Sequence, residues 1–291
     1  MKSKKKKLGG NDTRFAYALL APSLILLVLL IGYPMIYNIV ISFQDVPINP
    51  RMASEFVGLD NFKAVFQDKS FYQSVFVTLI FTVLVTAVST AFGLAIAVFM
   101  NREFVGKKLV NSIIILSYVV PAVCLIFAWR YMFNNIYGII VDMLKLADEV
   151  PLWFDQPASA FILVTIFAIW KFYPYAYMSF VAILQSVDKS LYEAADMDGA
   201  TSWQKFLAVT YPAIKPTLVT VVSLRTIWVF YIYTEVYLLT KQVNVLGVYL
   251  YDMAFATHDF GKAAAISIVL FVVIFSLVML IRKKVLRVEE D

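Results

Sequence analysis

Long runs without a charged residue alternate with short polar segments along the chain. Four runs contain no Asp, Glu, Lys or Arg, and two more contain only one or two of them. Each run reaches the roughly 20 residues that an α-helix needs to cross about 30 Å of hydrocarbon. We therefore predict an all-α membrane protein with six transmembrane helices, over residues 15–44, 70–101, 109–129, 156–187, 216–240 and 263–281.

The overall composition supports a membrane protein. Of the 291 residues, 61% are apolar and 15% are charged, whereas a soluble domain has about 45–50% and about 25%. A water-soluble globule lacks the interior volume to bury so much apolar surface. A disulfide-rich secreted domain is excluded too, because Cys124 is the only cysteine.

Basic residues predict which side of the membrane each loop faces. Sixteen Lys and Arg lie in the two termini and the loops that share their side, against six in the opposite loops. By the positive-inside rule both termini are cytoplasmic. This predicts a basic N-terminus over 1–14, a six-helix domain over 15–284 and a cytoplasmic tail over 285–291. The N-terminal lysines are expected to anchor this topology and to attract anionic membrane lipid, rather than nucleic acid.

The cytoplasmic segment 188–216 has the pattern of a folded motif rather than a loop. Ser190 and Glu193 have the S-x-x-E spacing of a capping box, with Ser190 as the predicted N-cap. Gly199 supplies the left-handed residue that ends a helix. Thr201 and Gln204 form a second predicted capping box.

Two prolines follow this second predicted helix. Pro212 and Pro216 are expected to prevent it from continuing into the next span, because proline lacks the backbone N–H of a helix interior. A capped helix–turn–helix is more than is needed to join two spans. It provides a rigid surface for another protein to bind.

The spacing of this segment resembles a known coupling loop. The segment reads Glu-Ala-Ala, three residues, Gly, nine residues and Val-x-Tyr-Pro. This pattern is similar to the loop of permease subunits in bacterial binding-protein-dependent ABC importers. Three further stretches resemble the carbohydrate-uptake members of this permease family: Phe56–Phe62 (FVGLDNF), Trp170-x-x-Tyr-Pro-Tyr and Arg225-Thr-Ile-Trp. The resemblance implies ATPase-coupling roles for Glu193, Ala194, Ala195, Asp198, Gly199 and Pro212.

The resemblance further implies a type I importer permease in the bacterial cytoplasmic membrane, which moves a sugar or oligosaccharide by alternating access. The implied partners are a second permease subunit, an ATPase dimer that binds ATP and Mg²⁺, and an extracellular solute-binding protein. The sequence contains no G-x-x-x-x-G-K-[ST] string, so we expect no nucleotide or other cofactor on this chain. We also expect no catalytic residues, no metal site and no enzymatic activity.

Three charged residues in the predicted spans are candidates for the transport path. A charge within a membrane is costly and indicates a cavity or a partner. The charged candidates are Lys171, Arg225 and Glu235. The aromatic candidates are Tyr175, Trp228 and Tyr231. Aromatic rings with polar tips suit the apolar faces and hydroxyl rims of sugars.

Other interpretations of these residues remain open. Lys171 could pair with a carbonyl or a tyrosine, and the aromatic rings could belong to an interfacial belt. Arg225 and Glu235 are about 15 Å apart along the predicted helix 216–240, so they are not expected to pair directly. An ion-coupled secondary transporter or channel is the alternative class, and a non-sugar or acidic-sugar solute is the alternative cargo.

Overall fold

The computed structural model describes residues 10–49, 51–143 and 153–286, and these are mostly helical. They divide into two compact units. The first contains the described residues up to Gln67 and also Met253–Val269; the second contains Asp68–Asp252 and the described residues from Leu270 onward. Residues 1–9 of the predicted N-terminus and 287–291 of the predicted tail lie outside the described residues.

The first unit begins with a long helix that is followed by a small hairpin. Its elements are α1 (Gly10–Leu27), a π-helical turn (Val28–Gly32), α2 (Tyr33–Ile41), β1 (Gln44–Asp45), β2 (Glu55–Phe56) and α3 (Asp60–Gln67). The two strands are antiparallel. The Asn61 side chain donates to the carbonyl oxygens of Ser42 and Gln44 at 3.0 and 2.9 Å, which ties α3 to the end of α2.

The second unit contains the remaining helices. They are α4 (Lys69–Met100), α5 (Lys107–Val119), α6 (Ala122–Met132), α7 (Ile139–Met143), α8 (Pro157–Leu184), α9 (Lys189–Met197), α10 (Ser202–Lys205), α11 (Tyr211–Phe230), α12 (Thr234–Leu239) and α13 (Leu246–Tyr251). A π-helical turn, Phe206–Thr210, joins α10 to α11. The last helix, α14 (Phe260–Leu286), begins in the first unit and ends in the second.

The six predicted spans are confirmed in number when one bent pair is counted as a span. Five helices among the described residues are long and apolar enough to cross a membrane, and α5 and α6 together make a sixth candidate. The prediction of one straight helix over 109–129 is wrong, because α5 and α6 meet at 97°. Pro121 explains the break, since it disfavours the helical conformation of the residue before it. Val120 is extended, with ψ 135°.

The prediction of one helix over 216–240 is wrong as well. The helix ends at Phe230, and α12 starts only at Thr234. The intervening Tyr-Ile-Tyr has modest helix propensity, and α13 packs against it. A Cβ on Gly247 of α13 would lie 2.4 Å from the Ile232 carbonyl oxygen, so α13 contacts this break directly.

Helices α4 and α8 form the centre of the second unit. Small and hydroxyl-bearing residues line the buried face of α4, among them Ser74, Thr78, Ser89 and Gly93. A Cβ on Gly93 would lie 2.7 Å from the Ala176 Cβ, so this position requires glycine for the close approach of α8. Small residues at such contacts let transmembrane helices pack by van der Waals contact, which replaces the missing hydrophobic driving force.

Candidate coupling segment and transport path

The candidate coupling segment, residues 188–216, starts with an N-cap that differs from the predicted one. Asp188, not Ser190, caps α9: the Ser190 backbone N–H donates to the Asp188 carboxylate at 2.9 Å. This hydrogen bond lowers the pKa of Asp188 below its ordinary value. The prediction failed because an aspartate two residues earlier is an equally good cap, and only one residue can take the position.

The turn between α9 and α10 has the predicted left-handed glycine. Gly199 has φ +71°. Its N–H donates to Asp196 O at 3.0 Å, and the Ala200 N–H donates to Ala195 O at 2.9 Å. These two bonds form a Schellman motif, which satisfies the last carbonyls of α9. The predicted capping box of Thr201 and Gln204 is confirmed at the start of α10.

The helix that follows does not stop at the prolines, contrary to the prediction. Ser202–Phe230 is continuous, through the π-helical turn Phe206–Thr210 and past Pro212 and Pro216. Pro212 lies in the first turn of α11, directly after the π-turn. In a π-turn each N–H donates to the carbonyl five residues back instead of four. The return to α-helical spacing therefore leaves a carbonyl without a backbone donor, and the helix can admit a proline at this point.

Most of the predicted coupling residues are accessible. Five of the six are exposed, and Ala195 is half-buried. The exposed residues are Glu193 and Ala194 on α9, Asp198 at its C-cap, Gly199 in the turn and Pro212 on α11. Apolar side chains accompany them at the surface: Met197 is 89% exposed and Trp203 is 66% exposed. A rigid, capped segment therefore presents apolar surface that nothing in the described chain covers.

Two polar contacts fix the shape of this segment. Lys205 of α10 forms an ion pair with Asp196 of α9 at 2.6 Å. The Tyr192 hydroxyl lies 3.0 Å from the Thr210 hydroxyl, which links α9 to the π-turn. The two short helices therefore hold a set orientation to each other and to the start of α11.

Three of the six candidate path residues come together around one cation. Arg225 is fully buried, and its Cζ lies 4.9 Å from the ring centroid of Tyr175 and 5.4 Å from that of Trp228. The ring of Phe172 is closer, at 4.7 Å, and the Phe172 carbonyl accepts a hydrogen bond from Nη2 at 2.8 Å. Nε and Nη1 have no hydrogen-bond partner among the described residues. We call Phe172, Tyr175 and Trp228 the aromatic cage.

Two other candidates form an ion pair with each other. Lys171 on α8 donates to the Glu235 carboxylate on α12, and both side chains are largely buried. This contact differs from the predicted carbonyl or tyrosine partner, and it is possible because Glu235 lies on a separate helix after the break. Tyr231, the sixth candidate, lies at the break with 40% of its surface exposed, outside the aromatic cage.

Two hydrogen bonds hold the C-terminal end of the short helix α12, in addition to the ion pair near its start. Nη1 of Arg130, on α6, donates to the Leu238 carbonyl at 3.3 Å. The Thr240 hydroxyl donates to the Phe154 carbonyl at 2.7 Å. Non-helical backbone at membrane depth is tolerated only where protein or a water-filled cavity surrounds it, and in transporters it marks binding sites. The break consists of such non-helical backbone within a predicted span, and its role in transport stays a prediction.

Comparison with known proteins decides what kind of protein this is. Residues 89–287 match the family described as "Binding-protein-dependent transport system inner membrane component". The chain belongs to this family of permeases. The inner membrane ABC transporter permease protein YcjO of Escherichia coli (strain K12) is 56% identical over 281 residues, which cover 95% of this chain and 96% of that protein.

More distant relatives agree with this placement. The trehalose/maltose transport system permease protein MalF of Thermococcus litoralis is 30% identical over 280 residues, 93% of each chain. A chain in the crystal structure of a bacterial alginate ABC transporter, bound to its pentasaccharide-loaded periplasmic protein, matches with a TM-score of 0.81. The identity there is 21%, with 96% of each chain covered, so this likeness confirms the type I importer permease fold alone.

The permease is thus a multi-pass inner-membrane component and a transport subunit rather than an enzyme. The matched region contains both the coupling segment and the path candidates. The individual roles of these residues stay predictions.

Several residues around the path candidates were missed by the sequence patterns. Phe172 had no signal beyond its place next to Lys171. Pro121 was visible as a helix breaker within an apolar run. The Tyr118 ring lies 6.3 Å from that of Tyr175, so the break between α5 and α6 adjoins the aromatic cage. The Ser117 hydroxyl is 3.5 Å from the Trp170 carbonyl, which Pro174 leaves without its usual helical donor.

Proposed function

We propose that this permease moves a sugar or oligosaccharide across the cytoplasmic membrane by alternating access, driven by an ATPase dimer that binds the coupling segment. The observation that carries the proposal is the rigid, capped pair α9–α10 with exposed apolar side chains such as Met197 and Trp203. A short turn would suffice to join α8 to α11. The extra structure fits a socket on another protein.

The partner set follows from the family. Its name, binding-protein-dependent transport, states that members act with a solute-binding protein. A second permease subunit and an ATPase dimer complete the proposed importer, and the ATPase supplies the sites for ATP and Mg²⁺. The only Gly-Lys strings of the chain, at 106–107 and 261–262, lack the remaining residues of a phosphate-binding loop.

A carbohydrate cargo is supported by the rings near the breaks and by the relatives. Aromatic faces bind the C–H faces of sugars while polar tips bind their hydroxyl groups. Trp228 and Tyr231 are 44% and 40% exposed, so each offers ring surface to a ligand. The permease relative of Thermococcus litoralis is named for trehalose/maltose transport, which agrees with a saccharide cargo.

One substitution tests the coupling role directly. Gly199→Pro cannot adopt φ +71° and removes the N–H that donates to Asp196. We expect the ATPase subunit no longer to copurify with the full-length permease, and its ATP hydrolysis in proteoliposomes to lose its dependence on cargo-loaded binding protein. The thermal midpoint of the permease should change little, because the turn is exposed.

The matched control is Gly58→Pro, at another left-handed glycine with φ +58° in the predicted outer hairpin region. It imposes a similar backbone conflict away from the coupling segment and should leave ATPase copurification unchanged. Normal coupling in Gly199→Pro would disprove the role of the segment. Uptake driven by an ion gradient through the purified chain alone would instead favour a secondary transporter.

A further inference from the structure

A polar cavity lies where three helices end on the predicted cytoplasmic side. It has a volume of about 570 Å³, which is within the range of small-ligand sites. The end of α4, the start of α5 and the end of α8 enclose it. Its lining residues are Met100, Glu103, Phe104, Gly106, Lys107, Lys108, Asn111, Tyr177, Val181 and Gln185. None of these residues belongs to the coupling segment or to the aromatic cage.

The cavity is electropositive. Lys107 and Lys108 contribute two positive charges, and Glu103 is the single acidic residue in its lining. Glu103 pairs with Lys107 at 3.0 Å; the Glu103 side chain is 85% exposed and the Lys107 side chain is 27% exposed. A pair whose carboxylate is open to water contributes little energy, so a stronger anion can displace the carboxylate from Lys107.

Uncharged donors lie next to the lysines. The Tyr177 hydroxyl donates to Asn111 Oδ1 at 2.6 Å, which makes this oxygen the acceptor and keeps Nδ2 of the same amide as a donor. Gln185 brings a second side-chain amide from α8. Two ammonium groups with amide donors nearby match the needs of a phosphate group, which carries charge and several acceptor oxygens.

The surroundings of the cavity indicate where such a phosphate comes from. The side chain of Val105 is fully exposed, and Phe99 and Leu109 are 61% and 67% exposed. These apolar residues flank the two lysines, at the point where the charge-free run of the third predicted span begins. A basic cavity bordered by exposed apolar side chains at the end of a span lies at the depth of lipid headgroups.

We propose that this cavity binds the phosphate of an anionic phospholipid, such as phosphatidylglycerol, from the cytoplasmic leaflet. The phosphate contacts Lys107, Lys108 and Asn111, and the acyl chains lie along the exposed apolar side chains of α4 and α5. The proposal is independent of the cargo and of the ATPase, because it concerns the permease and its membrane alone.

The test measures lipid retention by the full-length permease in nanodiscs of phosphatidylcholine with a minority of phosphatidylglycerol. Native mass spectrometry after mild detergent release counts the phosphatidylglycerol molecules that stay bound. We expect Lys107→Ala/Lys108→Ala to weaken this binding about 30-fold, since each lysine near an anionic lipid surface strengthens binding about fivefold. Lys107→Arg/Lys108→Arg should retain binding, because the charge is kept.

The matched control is Lys283→Ala, which removes an exposed lysine from the same predicted side near the end of α14. It should leave retention unchanged. Equal retention by the wild-type chain and the double alanine variant would overturn the proposal. Displacement of the lipid by soluble glycerol phosphate at equal concentration would overturn the lipid source, and a loss of ATPase copurification with unchanged lipid retention would assign the cavity to a protein partner.

Discussion

Lys171 and Arg225 are both buried cations, one on α8 and one on the facing helix α11, but their charges are balanced in different ways. Lys171 has a carboxylate partner, Glu235, on the short helix after the break. Arg225 has no acidic partner among the residues that the structure describes. It has the Phe172 carbonyl and three aromatic rings.

The difference shows that a cation in a membrane protein can be stabilised in two unequal ways. An ion pair leaves a costly unpaired charge when one partner is removed. A cation held by ring faces and a carbonyl leaves only neutral groups behind when it is removed. The first arrangement makes α12 dependent on α8, whereas the second is local to the contact between α8 and α11.

The largest effect is expected for Glu235→Ala, which leaves Lys171 buried without its carboxylate. We expect a loss of about 3 kcal/mol in the free energy of unfolding. Lys171→Met/Glu235→Met should recover most of this, because it removes both charges together. Unfolding in detergent micelles with increasing SDS measures the change.

Asp60→Ala is the matched control for this prediction, since it breaks the Lys63–Asp60 ion pair, whose side chains are both 67% exposed. Its effect should be below about 1 kcal/mol. If the two carboxylate deletions cost the same, burial of the Lys171 pair has no energetic consequence and the comparison fails.

A smaller loss, about 2 kcal/mol, is expected for Arg225→Met, because the Phe172 carbonyl and the rings remain as neutral groups. Arg225→Lys should not restore stability fully, since an ammonium lacks the planar guanidinium that stacks between rings. The same SDS titration applies. A greater loss than in Glu235→Ala would mean that Arg225 has a stronger partner than its cage.

Next in size is the removal of one ring of the aromatic cage. Trp228→Leu should cost about 1 kcal/mol through the lost cation–π contact with Arg225, in addition to the lost packing area. A double-mutant cycle with Arg225→Met isolates the contact. In the Arg225→Met background, Trp228→Leu should cost less, because no cation is left to interact with the ring. Simple additivity of the two substitutions would contradict a cation–π role for Trp228.

The smallest effect is expected for Ser117→Ala, about 0.5 kcal/mol, because its bond to the Trp170 carbonyl is 3.5 Å long. This carbonyl and that of Phe172 lie two residues apart on α8, yet only the latter accepts from a charged group. The stability change in Ser117→Ala should therefore be well below that in Arg225→Met. Similar losses would show that the two carbonyl contacts are equivalent.

The spans and the coupling segment could be predicted because their signals are local. A charge-free run of membrane length is visible in any window of the sequence, and so are Gly199 and the Thr201–Gln204 box. The N-cap of α9 was misplaced within the same window, since both Asp188 and Ser190 can cap a helix. Local patterns thus located the segment but did not select between two adequate caps.

The contacts among the path candidates could not be predicted, because they depend on where the helices break. Lys171 and Glu235 are 64 residues apart, and they meet only because the helix stops at Phe230. At that stop Gly247 of α13 packs against the Ile232 carbonyl, a contact that no local pattern encodes. Pro212 illustrates the reverse case: a strong local breaker is admitted because a π-turn precedes it.

The continuous helix Ser202–Phe230 has a mechanical consequence. Its 29 residues make a rod of about 44 Å at 1.5 Å per residue. One end carries the exposed Trp203, and the other ends beside Arg225 and the break. A force applied at Trp203 therefore reaches the aromatic cage through a single helical rod, with no extended backbone along its length. A tilt of a few degrees at one end becomes a displacement of a few ångströms at the other.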